Sequence, residues 1–140
     1  MKIVALIVAL FLGFAAYVRL APLDAQRFFK RNDAADTGGI GEYPLDGGYA
    51  IVRENTTDAL ERIKAAALAT DRTGLFAGSV QDGHMLFVTR SALWGFPDYT
   101  NVYINDEGLL VVSGHLRFGR SDLGVNQRRV TEWLTVAGLS

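Results

Sequence analysis

The chain has 140 residues, a formal net charge of −1 and no cysteine. That length holds an apolar leader and one domain of about 100 residues. The charge excludes the global basic field used by nucleic-acid binders, and no nucleic-acid partner is expected. Without cysteine there is no disulfide framework, thiolate metal site or cysteine nucleophile. The lysines are Lys2, Lys30 and Lys64, and every cation after them is an arginine. Arginine carries a planar fork that matches carboxylates and phosphates, whereas lysine is a solvated point charge.

Ile3 to Val18 is an uninterrupted apolar run of 16 residues. At ~1.5 Å per residue it spans about 24 Å, and counting Leu20 and Ala21 with a snorkelling Arg19 brings it near a bilayer core of about 30 Å. A small-x-small cleavage site is poor here and there is no lipobox cysteine, so residues 1–21 are expected to form an uncleaved anchor in the lipid bilayer through residues 3–21. The flanking charges, read by the positive-inside rule, put the domain in the cytoplasm, while the one-lysine N-tail has the shape of an export signal. The expected location is a bacterial inner membrane, single-pass, with the domain on the periplasmic side.

Residues 22–48 read as a tether. Asp24 to Arg31 has room for two helical turns, with Phe28 and Phe29 at the membrane surface. Asn32 to Gly48 mixes Asp, Thr, Pro and glycine without an apolar period.

The folded domain is expected over 49–140. Tyr49 to Arg53 is a strand, and a helix capped by Thr57 or Asp58, with Glu61 in capping-box spacing, follows to about Thr70. Leu75 to Gln81 and His84 to Ser91 are strands joined by Asp82-Gly83, a pair typical of two-residue hairpins. Tyr99 to Asn105 and Leu109 to Arg117 complete a meander. Alternation puts Val102, Ile104, Leu110, Val112 and Leu116 on the core face, with Tyr99, Asn101, Tyr103, Ser113, His115 and Arg117 opposite. A last helix, Leu123 to Ala137, carries Val130, Trp133 and Leu134 at helical spacing. The fold class is α+β: a two-layer sandwich, a mainly antiparallel sheet of about five strands with two helices on one face.

Arg117 to Arg129 concentrates arginines, glycines and capping residues at one strand-to-helix corner. Gly119 and Gly124 permit positive backbone torsions, and Ser121 or Asp122 can cap the helix. In one reading Asp122 caps, Asn126 ties a loop carbonyl, and the arginines clamp the corner onto Asp98. In the other, Arg117, Arg120, Arg129 and Arg90 with the helix N-terminus bind a small anion: phosphate, carboxylate or lipid head group.

His84 and His115 are too far apart in sequence, and too few, for metal-ligand spacing, so no metal and no cofactor is expected. An enzyme would use His115 as base with Ser113 and Asp98. No Gly-x-Ser-x-Gly elbow is present and Ser113 lies mid-strand, so no catalytic residue is assigned. Trp94-Gly95-Phe96-Pro97 places aromatic residues on a loop, for core packing or for a membrane or partner surface.

Arg90-Ser91-Ala92-Leu93-Trp94-Gly95-Phe96-Pro97-Asp98 and Arg117-Phe118-Gly119-Arg120-Ser121-Asp122-Leu123-Gly124-Val125-Asn126-Gln127-Arg128-Arg129-Val130 resemble the motifs of domain-of-unknown-function family 1499, from about Val52 to the C-terminus. Three departures stand out: the family's early cysteine segment is missing, Ser113-Gly114-His115-Leu116 replaces an Arg-Ser-x-Ser segment, and Tyr99 replaces a second aspartate. The resemblance implies an anchored or exported domain and no established activity. The expectation is a membrane-anchored, non-catalytic module that binds a small anionic ligand or an envelope protein. A hydrolase-like enzyme and a structural envelope component are the alternatives.

Overall fold

The computed structural model describes residues 1–140. Helix α1 (Lys2–Leu20) is 19 residues of mean hydropathy 2.4, long and apolar enough to cross a membrane. Two short helices follow, α2 (Ala25–Phe28) and α3 (Asp33–Thr37). Asp24 caps the first by accepting the Arg27 N–H, and Asn32 caps the second by accepting the Ala35 N–H. Side-chain oxygens just before a helix satisfy donors that have no intrahelical partner, which lets such short turns form.

The sheet has six strands, one more than expected: β1 (Gly41–Leu45), β2 (Gly48–Arg53), β3 (Thr73–Ser79), β4 (His84–Arg90), β5 (Pro97–Ile104) and β6 (Leu110–Leu116). All pairings are antiparallel, in the order β1-β2-β6-β5-β4-β3. Helices α4 (Ala59–Leu68) and α5 (Val125–Val136) complete the α+β fold.

Strand alternation gives the sheet two chemically different faces. Ile51, Met85, Phe87, Val102, Leu110 and Val112 point to one side, where Ile63 from α4 and Val130, Trp133 and Leu134 from α5 cover them. The Trp133 indole N–H donates to Thr70 Oγ1 at 2.8 Å, so the largest core side chain also has its polar atom satisfied.

The second face is where the expected tether is corrected. Phe28 stacks flat on Tyr99, with centroids 3.9 Å apart, and Phe29 lies 4.0 Å from the His84 ring. Neither ring is left for a membrane surface, because the sheet offers each an aromatic partner. Asn101 Nδ2 donates to the Phe28 carbonyl, and the Asn32 N–H donates to the Tyr103 hydroxyl. Ala35 of α3 is fully buried against Ala50, Val52, Tyr103 and Val111. Residues 25–37 therefore form a thin cover on the sheet. Glycine-rich composition hid β1 as well. Its Tyr43 and Leu45 turn inward while Pro44 faces solvent on an edge strand, where a missing N–H does least harm.

Two local features also differ from expectation. The β3–β4 turn takes four residues, Val80 to Gly83, because Ser79 Oγ donates to the Asp82 carboxylate and accepts the Asp82 N–H. Asp58 stands at the N-cap of α4 without a capping bond. Its carboxylate instead accepts from Thr56 and Arg62, so the capping box is not formed.

Candidate functional site

The strand-to-helix corner leaves β6 at Leu116 and enters α5 at Val125. Leu123 and Gly124 take left-handed torsions, with φ of 51° and 76°, which delays the helix by two residues. Asp122 fills the space so created. Its carboxylate accepts the Gly124 N–H at 3.0 Å and the Asn126 N–H at 2.9 Å. Burial pushes the Asp122 carboxyl up, but these N–H donors outweigh it and hold it below the usual range. Ser121 Oγ accepts the Leu123 N–H. The chain's own carboxylate thus takes the Asn126 N–H in the first turn of the helix.

Behind the corner, Arg129 Nη1 donates to Asn126 Oδ1 at 2.8 Å and to Asp98 Oδ2 at 3.2 Å. Asn126 is fully buried and lies over Gly114 of β6, where a Cβ would come within 2.7 Å of its oxygen. Asn126 accepts from Arg129 rather than tying a loop carbonyl. Burial pushes the Asp98 carboxyl above the usual range, and the Arg129 charge opposes this only in part. Arg90 is held by its bond to the Gly95 carbonyl. Of the four arginines expected to bind an anion, Arg129 spends Nη1 on Asp98 and Asn126, and Arg90 lies with Arg19 and Arg72 around a different cleft.

Arg117 and Arg120 remain. With Asp46, Gly47, Leu116 and Gly119 they line a cleft of about 480 Å³. Arg117 Nη1 donates to the Pro22 carbonyl at 2.9 Å, and its guanidinium lies 5.0 Å from the Phe118 ring centroid. Arg120 is exposed and has no hydrogen-bond or ion-pair partner within the chain. Gly119, at φ of 101°, bends the chain between them. Asp46 lines the same cleft without pairing to either arginine, so two cations face one carboxylate.

The histidines lie on the other face of the sheet. His115 Nε2 is 2.9 Å from Ser113 Oγ, and burial followed by the Lys30 charge lowers its pKa. Asp98 cannot complete a triad. It shares the α5 side of β5 with Val102, whereas His115 faces the covered side beside Tyr99, its register partner. Ser113 is 1% exposed and lines none of the larger clefts. His84 Nε2 is 2.9 Å from Asn101 Oδ1, and burial lowers its pKa.

The grouping that sequence alone did not indicate is Arg19, Arg72 and Arg90. They line a cleft of about 450 Å³ with Ser91, Ala92 and Gly95. The side chains come from the end of α1, the turn before β3 and the end of β4. No spacing rule links those positions.

No curated protein matches the chain. The model of the family described as "Protein of unknown function (DUF1499)" matches residues 42–136, which span β1 through α5 and contain the whole corner. The chain belongs to the DUF1499 family.

Proposed function

We propose that the chain is a membrane-anchored, non-catalytic binding module whose ligand is a small anion held between Arg117 and Arg120. The observation that supports this most directly is Arg120, an arginine free of intramolecular partners beside a second guanidinium in a cleft. Arginine N–H groups bond carboxylate or phosphate oxygens in pairs, so unspent donors on two neighbouring arginines suit such a ligand.

In this reading α1 is the anchor. Its 19 residues give about 28 Å at ~1.5 Å each, close to the hydrocarbon core. Its apolar side chains are largely exposed around the helix, the surface a bilayer covers. The protein is then single-pass in a bacterial inner membrane with the domain on the periplasmic side. A topology reporter fused after Ser140 tests the orientation.

A hydrolase reading has one observation in its favour, the contact between Ser113 and His115. It lacks an orienting carboxylate, and Ser113 is buried and lines none of the larger clefts.

The binding reading is tested by thermal-shift titration of the full chain in detergent with inorganic phosphate, glycerol phosphate, acetate and chloride at matched ionic strength. A ligand of the folded state raises the melting temperature by mass action. A rise with phosphate or carboxylate but not chloride supports the site, and equal response to all four excludes it.

A further inference from the structure

The loop between β4 and β5 packs against α1. The Trp94 and Phe11 rings meet edge to face with centroids 4.7 Å apart, and Phe96 lies 6.1 Å from Phe14. Arg19 Nη2 donates to the Leu93 carbonyl at 3.2 Å. Gly95 has φ of 72°, and a Cβ there would come within 2.9 Å of Arg19 Cγ, so the loop closes on the helix at a position only glycine can fill. Leu93, at the loop tip, is 73% exposed.

From these contacts we infer that the Leu93–Phe96 loop is a second membrane contact, inserted into the same leaflet that receives the end of α1. The inference rests on the reading of α1 as an anchor, and the geometry of the helix sets the depth. With Arg19 at the headgroup level, Phe14 lies five residues deeper and Phe11 eight, about 8 and 12 Å along a helix rising ~1.5 Å per residue. Phe96, against Phe14, falls at the depth where interfacial apolar groups settle, roughly 5–10 Å below the boundary, and Trp94, against Phe11, reaches its lower edge. Tryptophan suits that zone, with an apolar body and one N–H donor.

Charge complementarity argues for the same occupant. Arg19, Arg72 and Arg90 surround the cleft at the base of the loop, and no carboxylate lines it. Each spends one nitrogen on a backbone carbonyl, Arg19 on Leu93, Arg72 on Arg90 and Arg90 on Gly95, and Arg72 Nη1 also lies 3.9 Å from the exposed Asp71 carboxylate outside the cleft. In this placement the guanidinium donors of Arg19 and Arg90 not used by those carbonyls are left for lipid phosphates. Phe118, in contact with Phe96, widens the apolar patch towards Arg117. The domain thus rests on the bilayer with aromatic rings below and guanidinium groups at the phosphates, and does not swing freely from its anchor.

The test uses the full chain reconstituted into phosphatidylethanolamine–phosphatidylglycerol vesicles, with and without phosphatidylcholine brominated on its acyl chains near the headgroup. Tryptophan emission is compared between the natural chain and Trp94→Phe, which keeps an aromatic ring in the contact. Trp133, buried in the core, serves as the internal reference. Flotation with the vesicles reports the anchor separately. The expected result is flotation of both chains, with the brominated lipid removing most of the Trp94-dependent emission and leaving that of Trp133. Flotation with Trp94 emission unchanged by brominated lipid and quenched by aqueous iodide overturns the insertion while the anchor reading stands. Failure to float overturns both.

Discussion

Phe28 lies flat on Tyr99, their ring planes 5° apart and their centroids separated by 3.9 Å. That contact ties the segment after α1 to the centre of the sheet, and the Asn101 bond to the Phe28 carbonyl fixes it there. The sheet is accordingly covered on both faces, one by two long helices and one by a short irregular strip.

Replacing Phe28 with alanine tests whether the strip belongs to the fold. The half-buried ring supplies stacking and apolar burial, so the expected loss is about 1–3 kcal/mol in urea unfolding of the detergent-solubilised chain. An unchanged midpoint would mean that the strip only rests on the surface.

The Arg129–Asp98 pair predicts an asymmetric cost. Their side chains are 11% and 18% exposed. Arg129→Gln leaves a buried carboxylate without its cation and is expected to cost about 3 kcal/mol near neutral pH. Asp98→Asn should cost less, because burial already disfavours the charged carboxyl. Since the folded-state pKa of Asp98 is raised, its contribution favours the fold below the unfolded carboxylate pKa and is lost as pH rises through the folded value. The deficit of Arg129→Gln therefore shrinks as pH falls and Asp98 takes up a proton. Denaturation midpoints of both variants across pH check this.

Gly114 and Gly74 form a matched pair. An alanine Cβ at Gly114 meets the buried Asn126, whereas one at Gly74 meets nothing within 4 Å. Gly114→Ala is expected to lose about 1–3 kcal/mol, and Gly74→Ala to change stability by less than about 1 kcal/mol. Thermal melts of the two variants side by side decide the matter.

His115 makes the fold acid-sensitive. Burial lowers its pKa from an ordinary 6.5, with Lys30 adding to the effect. A depressed histidine pKa gives stability that is present above the unfolded value and lost as pH falls through the folded one. Stability should decline as the medium is acidified below pH 6.5, and His115→Gln should flatten that decline. A urea midpoint series against pH measures both.

Much of this architecture was legible in the residues. Helical spacing of Val130, Trp133 and Leu134 located α5, and alternation along β5 and β6 sorted the two sheet faces. The Asp122 carboxylate beside the start of α5 and the pairing of an arginine with Asp98 followed from residue types that satisfy helix ends and corners, although the N-cap position itself falls on Gly124. The same alternation, carried back from Val102 to Asp98, also separates Asp98 from His115. What stayed hidden was tertiary. Residues 32–48 have too few apolar positions to display a period, yet Ala35, Tyr43 and Leu45 suffice once a sheet face is there to receive them. The convergence of Arg19, Arg72 and Arg90 joins residues from distant elements, and no local pattern encodes it.

Under the proposed function Arg129 serves the fold and Arg120 the anion, and changing these arginines one at a time tests that division. Arg117, Arg120 and Arg129 are each changed to glutamine in the full chain, and the melting temperature is measured with and without phosphate. Arg120→Gln is expected to keep the natural melting temperature and lose the phosphate-dependent rise. Arg117→Gln should weaken both modestly, given its bond to Pro22, and Arg129→Gln should melt lower while retaining a rise. A full phosphate-dependent rise in Arg120→Gln would contradict an anion site at Arg117 and Arg120.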